Sequence, residues 1–162
     1  MEIRLARHDD AEAIRQIYNP EALGSTVTFD LRERTLAEQE AWLAERSGIH
    51  PVIVAADDDG TVLGFAALSA YRSRPAYSTT VEDSVYISPE ARGRGVGRLL
   101  LEALIDLGRQ HGFHAVMARI VDGHAASIAL HQAVGFEIVG TEREVGRKFN
   151  RWLDVVLMQK LL

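Results

Sequence analysis

Apolar and charged side chains alternate from Glu2 to Arg7, which predicts a first strand. Asp9, with Glu12 three residues later, forms a capping-box pattern that opens a helix. That helix is expected to run to about Asn19 and to stop at Pro20. Residues 20–34 hold no clear period and are turn-rich. Thr35 and Glu38 repeat the capping box and open a second helix, expected to end near Ser47. From Pro51 the period changes to that of strands, over residues 51–56, 61–71 and 77–88, with Asp59-Gly60 as a hairpin turn. A Gly-rich loop fills 89–97. A helix follows over 97–111, with Leu100, Leu104 and Leu107 on one face and Gly112 as its stop. A strand at 113–121, a helix at 125–134 and two strands at 136–147 and 151–161 complete the chain. The order β-α-α-β-β-β-loop-α-β-α-β-β describes an α/β chain with a mostly antiparallel sheet. The strand–loop–helix–strand unit over 81–121 supplies one parallel pair.

At 162 residues with no internal repeat or linker-like stretch, the chain reads as one domain over 1–162. It has no cysteine, which removes disulfides, thiolate metal sites and a cysteine nucleophile from consideration. The net charge of −5 opposes nonspecific nucleic-acid binding. The N-terminus lacks the apolar core of a signal peptide, and no apolar run approaches the ~20 residues of a membrane helix, so a cytoplasmic protein without membrane association is expected. The six histidines lack metal-site spacing, so no metal is expected.

The sharpest local signal is Arg92-Gly93-Arg94-Gly95-Val96-Gly97, set between a strand and a helix. Glycines at alternate positions permit positive φ and close approach of a ligand to the backbone. Free N–H groups at the helix start, the helix dipole, and Arg92, Arg94 and Arg98 all favour a phosphate or pyrophosphate. The Gly-Lys-Ser/Thr of a nucleotide P-loop is absent, and the glycine spacing is not that of a dinucleotide fingerprint. Acyl-coenzyme A is the remaining common ligand.

The loop resembles the coenzyme A loop of the GNAT superfamily, the GCN5-related N-acetyltransferases, commonly R/Q-x-x-G-x-G/A. A second block, His124 through Ser127, Leu130, His131, Gly135 and Phe136, resembles that family's N-x-x-S-x-x-L-Y-x-x-x-G-F. Within the superfamily the chain is most similar to the phosphinothricin / methionine sulfoximine N-acetyltransferase group. The matches there are Ile17-Tyr18-Asn19, Arg74, Ala76-Tyr77, Thr80 to Ile87 and Lys148 to Asp154. The resemblance spans essentially the whole chain. It implies a mixed, mostly antiparallel sheet of about six or seven strands flanked by about four helices, with a splayed parallel pair holding acetyl-CoA. It also implies a homodimer and transfer of acetyl to a small amino-acid-like amine.

Acetyl transfer to an amine requires loss of an amine proton and departure of a thiolate. Glu82, a carboxylate inside a Thr/Val/Tyr-rich strand, is the candidate base, directly or through a water; a solvent-facing or Arg-paired glutamate is the plainer alternative. Asp83 faces the other side of the strand unless a bulge, which the family has here, changes the parity. His131 stands where many family members carry a tyrosine that protonates the leaving thiolate; a packing histidine is the alternative. Without cysteine or a Gly-x-Ser-x-Gly elbow, direct attack in a ternary complex is expected.

The resemblance further implies that the backbone of Val85, Tyr86 and Ile87 pairs with the pantetheine arm. His124 replaces the usual asparagine and shares a helix face with Ser127 and His131. Phe29, Arg72, Arg74, Tyr77, Lys148 and Trp152 are candidates for the acceptor site, with arginine offering a fork to a carboxylate. Arg72 and Arg74 read equally as solvated loop charges, and Trp152 as a core or dimer-contact aromatic. Other amines (a protein N-terminus, an aminoglycoside, a polyamine) or a noncatalytic acetyl-CoA sensor are the competing functions.

Overall fold

The computed structural model describes residues 1–46 and 48–162. Among them seven strands form one sheet: β1 (Glu2–Leu5), β2 (Val52–Ala56), β3 (Val62–Ala70), β4 (Thr80–Ile87), β5 (Ala115–Val121), β6 (Glu137–Lys148) and β7 (Arg151–Leu161). Their order across the sheet is β1-β2-β3-β4-β5-β7-β6, and every neighbouring pair is antiparallel except β4–β5. The helices are α1 (Ala11–Gly24), α2 (Leu36–Ala44), α3 (Val96–Gln110) and α4 (Ala125–Ala133). No described helix is long and apolar enough to cross a membrane.

The near-continuous apolar runs of β2 and β3 follow from burial on both faces of the sheet. Ile53, Ala66, Leu68 and Val81 pack under α3 against Leu100, Leu101 and Leu104. Val52, Val54, Phe65 and Ala67 pack on the other face against Ile14, Ile17, Tyr18 and Ala22 of α1. Leu100 and Leu104 are buried as the helical period predicts. The Asp59-Gly60 turn forms as expected, with Gly60 at φ +85°.

Two local expectations at the first helix are corrected. Pro20 lies inside α1, which continues to Gly24. Asn19 locks this stretch by exchanging two 3.0 Å hydrogen bonds with the Arg34 backbone, and buried Tyr18 and Ala22 hold the helix on either side of the proline. At the front of the helix Asp9 makes no capping bond, and Asp10 instead closes the turn that leads into it. Its carboxylate accepts from the Arg7 N–H at 2.6 Å and pairs with Arg4, while residues 8–10 form a single tight turn. The β3–β4 register runs from Gly64↔Ile87 to Ala70↔Val81 without a shift, so no bulge alters the strand parity in this pairing and Asp83 keeps the face opposite Glu82. The second helix ends at Ala44, and its expected end at Ser47 lies outside the described residues.

The feature that makes a site is the brevity of the parallel pairing. β4 and β5 pair at Thr80↔Ala115, Val81↔Val116 and Glu82↔Met117 only. Beyond that point β4 continues with β3 alone and β5 with β7 alone. The two strands part, and each presents an unpaired backbone edge to the gap.

Candidate active site

The gap opens into a cleft of about 860 Å³, walled by Glu82 to Ile87 of β4, Ala118 to Val121 of β5, the Gly-rich loop and α4. Gly93 (φ +72°) and Gly95 (φ +81°) adopt the left-handed conformation. Beyond the flanking residues nothing lies within 4 Å of a Cβ placed on either, so this side of the loop is open to a ligand. Gly97 has a different reason to be glycine. Its Cβ would stand 3.2 Å from Leu130 and 3.6 Å from Ile87, so it lets α3 lie close to α4 and β4. Leu99 is bonded to the Gly95 carbonyl, and the N–H groups ahead of it at the helix start have no intrahelical partner. The loop thus presents backbone donors and a helix dipole at the cleft mouth, which suits a pyrophosphate. The free edge of β4 suits the amide-bearing arm of an acyl-coenzyme A, so the residues present fit that molecule.

Strand alternation sorts two neighbouring carboxylates. Glu82 shares its face with Tyr86, toward α1 and α2, at the last paired position before the strands part. It makes no hydrogen bond among the described residues. Burial pushes its carboxyl above the usual range; the Arg119 charge opposes this, and Asp83 and Glu142 add to it. Arg119 itself pairs with Glu142 at 2.6 Å. Asp83 faces α4, where its Oδ2 accepts from His131 Nε2 at 2.8 Å. His131 Nδ1 meets the Ser127 carbonyl at 2.7 Å. The two side chains are 5% and 1% exposed. Burial works against the His131 charge, but the Asp83 bond and charge, with the Ser127 carbonyl, outweigh it and raise the imidazole above its ordinary value. Both ring nitrogens face acceptors, an arrangement that favours the imidazolium.

A third wall comes from the segment joining α1 to α2. Tyr18 donates to Asp30 and lies 2.8 Å from the Thr28 hydroxyl; its phenol is pushed up to about 12 by burial and by Asp30. His124 Nε2 meets the Thr26 hydroxyl at 2.8 Å, which ties this segment to the start of α4. Phe29 lines the cleft, and its ring fills the space where a Cβ on Gly146 would be.

The expected site residues separate into two sets. Glu82, Val85, Tyr86, Ile87, Arg92, Gly93, Gly95, Val96, Gly97, Arg98, His124, Ser127, His131 and Phe29 all line the cleft. Two of its arginines are already paired, Arg92 with Glu21 and Arg98 with Glu102. Arg94 is exposed and outside the lining. Arg72, Arg74 and Tyr77 sit before β4, outside the cleft lining, with Arg72 over the Tyr71 and Tyr77 rings. Trp152 is 59% exposed and borders a separate shallow depression with Asp122 and Glu144. Lys148 is buried: its ammonium donates to the carbonyls of Ala22, Thr28 and Asp30 at 2.7–2.9 Å, and it fastens the α1–α2 segment to the β6–β7 hairpin. Those bonds occupy all three donors of Lys148, so it is not placed to meet an acceptor substrate. The lining also holds charged and polar residues not expected from the sequence, among them Arg34, Arg46, Ser69 and Arg119.

Residues 3–157 match the family model described as acetyltransferase (GNAT) domain. The chain is 42% identical over 158 residues to an L-methionine sulfoximine/L-methionine sulfone acetyltransferase of Pseudomonas aeruginosa, covering 97% of this chain and 92% of that protein. It is 38% identical over 165 residues to a phosphinothricin N-acetyltransferase of Streptomyces coelicolor, covering 100% and 96%. The fold superposes with a TM-score of 0.95 on a GNAT superfamily phosphinothricin acetyltransferase from Sinorhizobium meliloti solved in complex with AcCoA. That protein is 40% identical, with 99% of this chain and 88% of the other covered.

Proposed function

The chain belongs to the GNAT acetyltransferase family and is an acetyl-CoA-dependent acyltransferase, and from that premise we propose that it acetylates the amine of a small amino-acid-like acceptor. The acceptor is of the methionine sulfone, methionine sulfoximine or phosphinothricin type. The observation that carries this reading is Glu82, a half-buried carboxylate without a hydrogen-bond partner, standing where the parallel strands part. An amine entering from the α1–α2 side meets it at the inner end of the β4 edge.

In this reading the backbone of the Gly-rich loop and the start of α3 hold the pyrophosphate, and Val85 to Ile87 hold the pantetheine arm. The amine nitrogen attacks the thioester carbonyl as its proton passes to Glu82, and the carbon–sulfur bond breaks. The thiolate leaves toward α4, where the His131 imidazolium supplies positive charge. His131 acts here by its field, because both of its N–H groups are engaged. Catalysis rests on positioning and proton transfer in a ternary complex. The arginines of the acceptor half oppose a polycationic acceptor such as an aminoglycoside or polyamine.

The test is turnover with a panel of amines, read by release of free thiol. Methionine sulfone, methionine sulfoximine or phosphinothricin should be acetylated, and aminoglycosides should not. A protein that binds acetyl-CoA but acetylates no member of the panel overturns the reading. In the same experiment Gly95→Val forces a side chain onto a backbone at φ +81° and blocks the loop. Wild type should gain about 2.7 kcal/mol of stability at 100 times the dissociation constant of acetyl-CoA. The variant should lose that thermal shift, and a full shift would remove the loop from the binding site.

We also propose a homodimer. β6 is an edge strand that exposes Ile138, Val139 and Val145, an apolar edge of the kind that soluble proteins usually cover. Sedimentation at micromolar concentration should give twice the chain mass; a monomer overturns this.

A further inference from the structure

The sheet face that carries Glu82 also carries a pair of opposite charges reaching over three strands. Met117 of β5 is the register partner of Glu82, and Arg119 stands two residues further along β5, on the same face. Arg119 is opposite Leu157 of β7; two residues from Leu157, Val155 is opposite Glu142 of β6. Cross-strand partners share a face, so Glu82, Arg119 and Glu142 all project from one side of the sheet. Arg119 Nη1 meets Glu142 Oε1 at 2.6 Å, across β7 and above the apolar cluster of Val121, Val155 and Leu157. That oxygen is sealed from solvent, with no partner but Arg119 among the described residues.

Arg119 lines the cleft, yet it forms no ion pair with Glu82. A guanidinium beside a carboxylate that lacks a partner is expected to close on it, and the far-side hold of Glu142 is what prevents this. The other charged groups around Glu82 are already engaged. Asp83 faces away and accepts from His131. On the β3 side Arg46 donates to the Ser69 hydroxyl and the Trp42 carbonyl. On the α1 side Tyr18 donates to Asp30, which pairs with Arg34. Burial raises the Glu82 carboxyl most; the Arg119 charge opposes it, and the charges of Asp83 and Glu142 reinforce it. A base closed upon by Arg119 would be both weaker and blocked from the amine.

We propose that Glu142 is a positioning residue for the proton transfer: by holding Arg119 across β7 it keeps that guanidinium off Glu82 and leaves the base free for the amine. This rests on the acetyl-transfer reading, in which Glu82 takes the amine proton. Removing either partner of the ion pair acts on Glu82 in opposite directions, which no general loss of packing would do.

The experiment compares wild type, Glu142→Gln, Arg119→Gln and the double variant in two ways. One is the pH dependence of kcat with methionine sulfone. The other is NMR titration of isotope-labelled glutamate carboxyls in the protein, where the Glu82 signal is the one missing from Glu82→Gln. Glu142→Gln should lower the Glu82 ionisation and the rate limb by about one pH unit, the effect of a nearby opposite charge in a partly exposed site. Its kcat should fall by about 10- to 100-fold, part of the worth of a general base. Arg119→Gln should instead move both the ionisation and the limb upward. The double variant should recover most of the rate lost by Glu142→Gln, because the cation that Glu142 restrains is gone. A Glu82 ionisation that stays put in both single variants, or moves the same way in both, overturns the proposal. So does a loss of rate in Glu142→Gln that the double variant does not recover, which would make Glu142 a structural residue only. Should Glu142→Gln fail to fold, Arg119→Gln decides: a Glu82 ionisation that does not rise overturns the proposal. Ionisations that shift as expected while the rate limb stays in place support the restraint on Arg119 and fault only the reading of Glu82 as the base.

Discussion

Replacing Glu82 by glutamine is expected to lower turnover by about 10²–10⁴-fold, the usual worth of a positioned general base. Glutamine keeps the shape and polarity of the side chain and removes only its ability to take a proton. The thermal shift by acetyl-CoA should persist, because the Gly-rich loop lies at the other end of the cleft wall. The pH profile separates this role from a merely structural one. Burial raises the Glu82 carboxyl, with Asp83 and Glu142 reinforcing and Arg119 opposing, so it still holds its proton at pH values where an ordinary carboxylate has lost it. The wild-type rate should therefore rise with pH through a limb displaced above the usual carboxylate range. The glutamine variant should lack that limb. Near wild-type turnover by Glu82→Gln on every accepted amine, with thiol release shown to be limited by chemistry, would remove Glu82 from the role.

What the sequence displays and what it conceals divide along contiguity. The Gly-rich loop is legible because its donors come from one short run, and its conformation is written in the glycines themselves. Gly93 and Gly95 do adopt positive φ, and Gly97 does permit close packing. Glu82 is legible because a carboxylate is out of place in a strand of Val, Thr and Tyr. Arg34 and Arg46 are illegible because their meaning depends on how the α1–α2 segment folds back across β3. In the chain they are two surface-like arginines flanking a short helix. Arg72 and Arg74 look like anion ligands of the site only because they are near Glu82 in sequence. They belong to the connection before β4 and are outside the lining of the cleft. Lys148 illustrates the same limit: nothing local reveals that its ammonium ends among the carbonyls of residues more than a hundred positions earlier. Pro20 fails as a stop for an energetic reason. A missing backbone bond costs less than unseating Tyr18 and Ala22, both buried in the core on that face of the sheet.

Asp83 and His131 are expected to make stability depend on pH in a way that one substitution abolishes. In the folded protein the imidazole is raised above its ordinary value of 6.5, because the Asp83 carboxylate and the Ser127 carbonyl outweigh the burial that opposes its charge. A raised folded value means that the folded state holds this proton more tightly than the unfolded chain does. The stabilisation is therefore complete below about pH 6.5 and is lost as pH rises through the folded value. Asp83→Asn keeps an oxygen within reach of Nε2 but removes the counter-charge. Orphaning a buried charge costs about 3–5 kcal/mol when the charge is trapped. His131 escapes part of that by releasing its proton, so about 2–3 kcal/mol is expected at pH 5.5, and less at pH 8.5. Urea unfolding of both proteins at the two pH values measures the difference, and titrations common to both proteins cancel in it. A penalty independent of pH would mean that His131 is neutral in the folded protein. The positive charge assigned to it beside the departing thiolate would then be withdrawn.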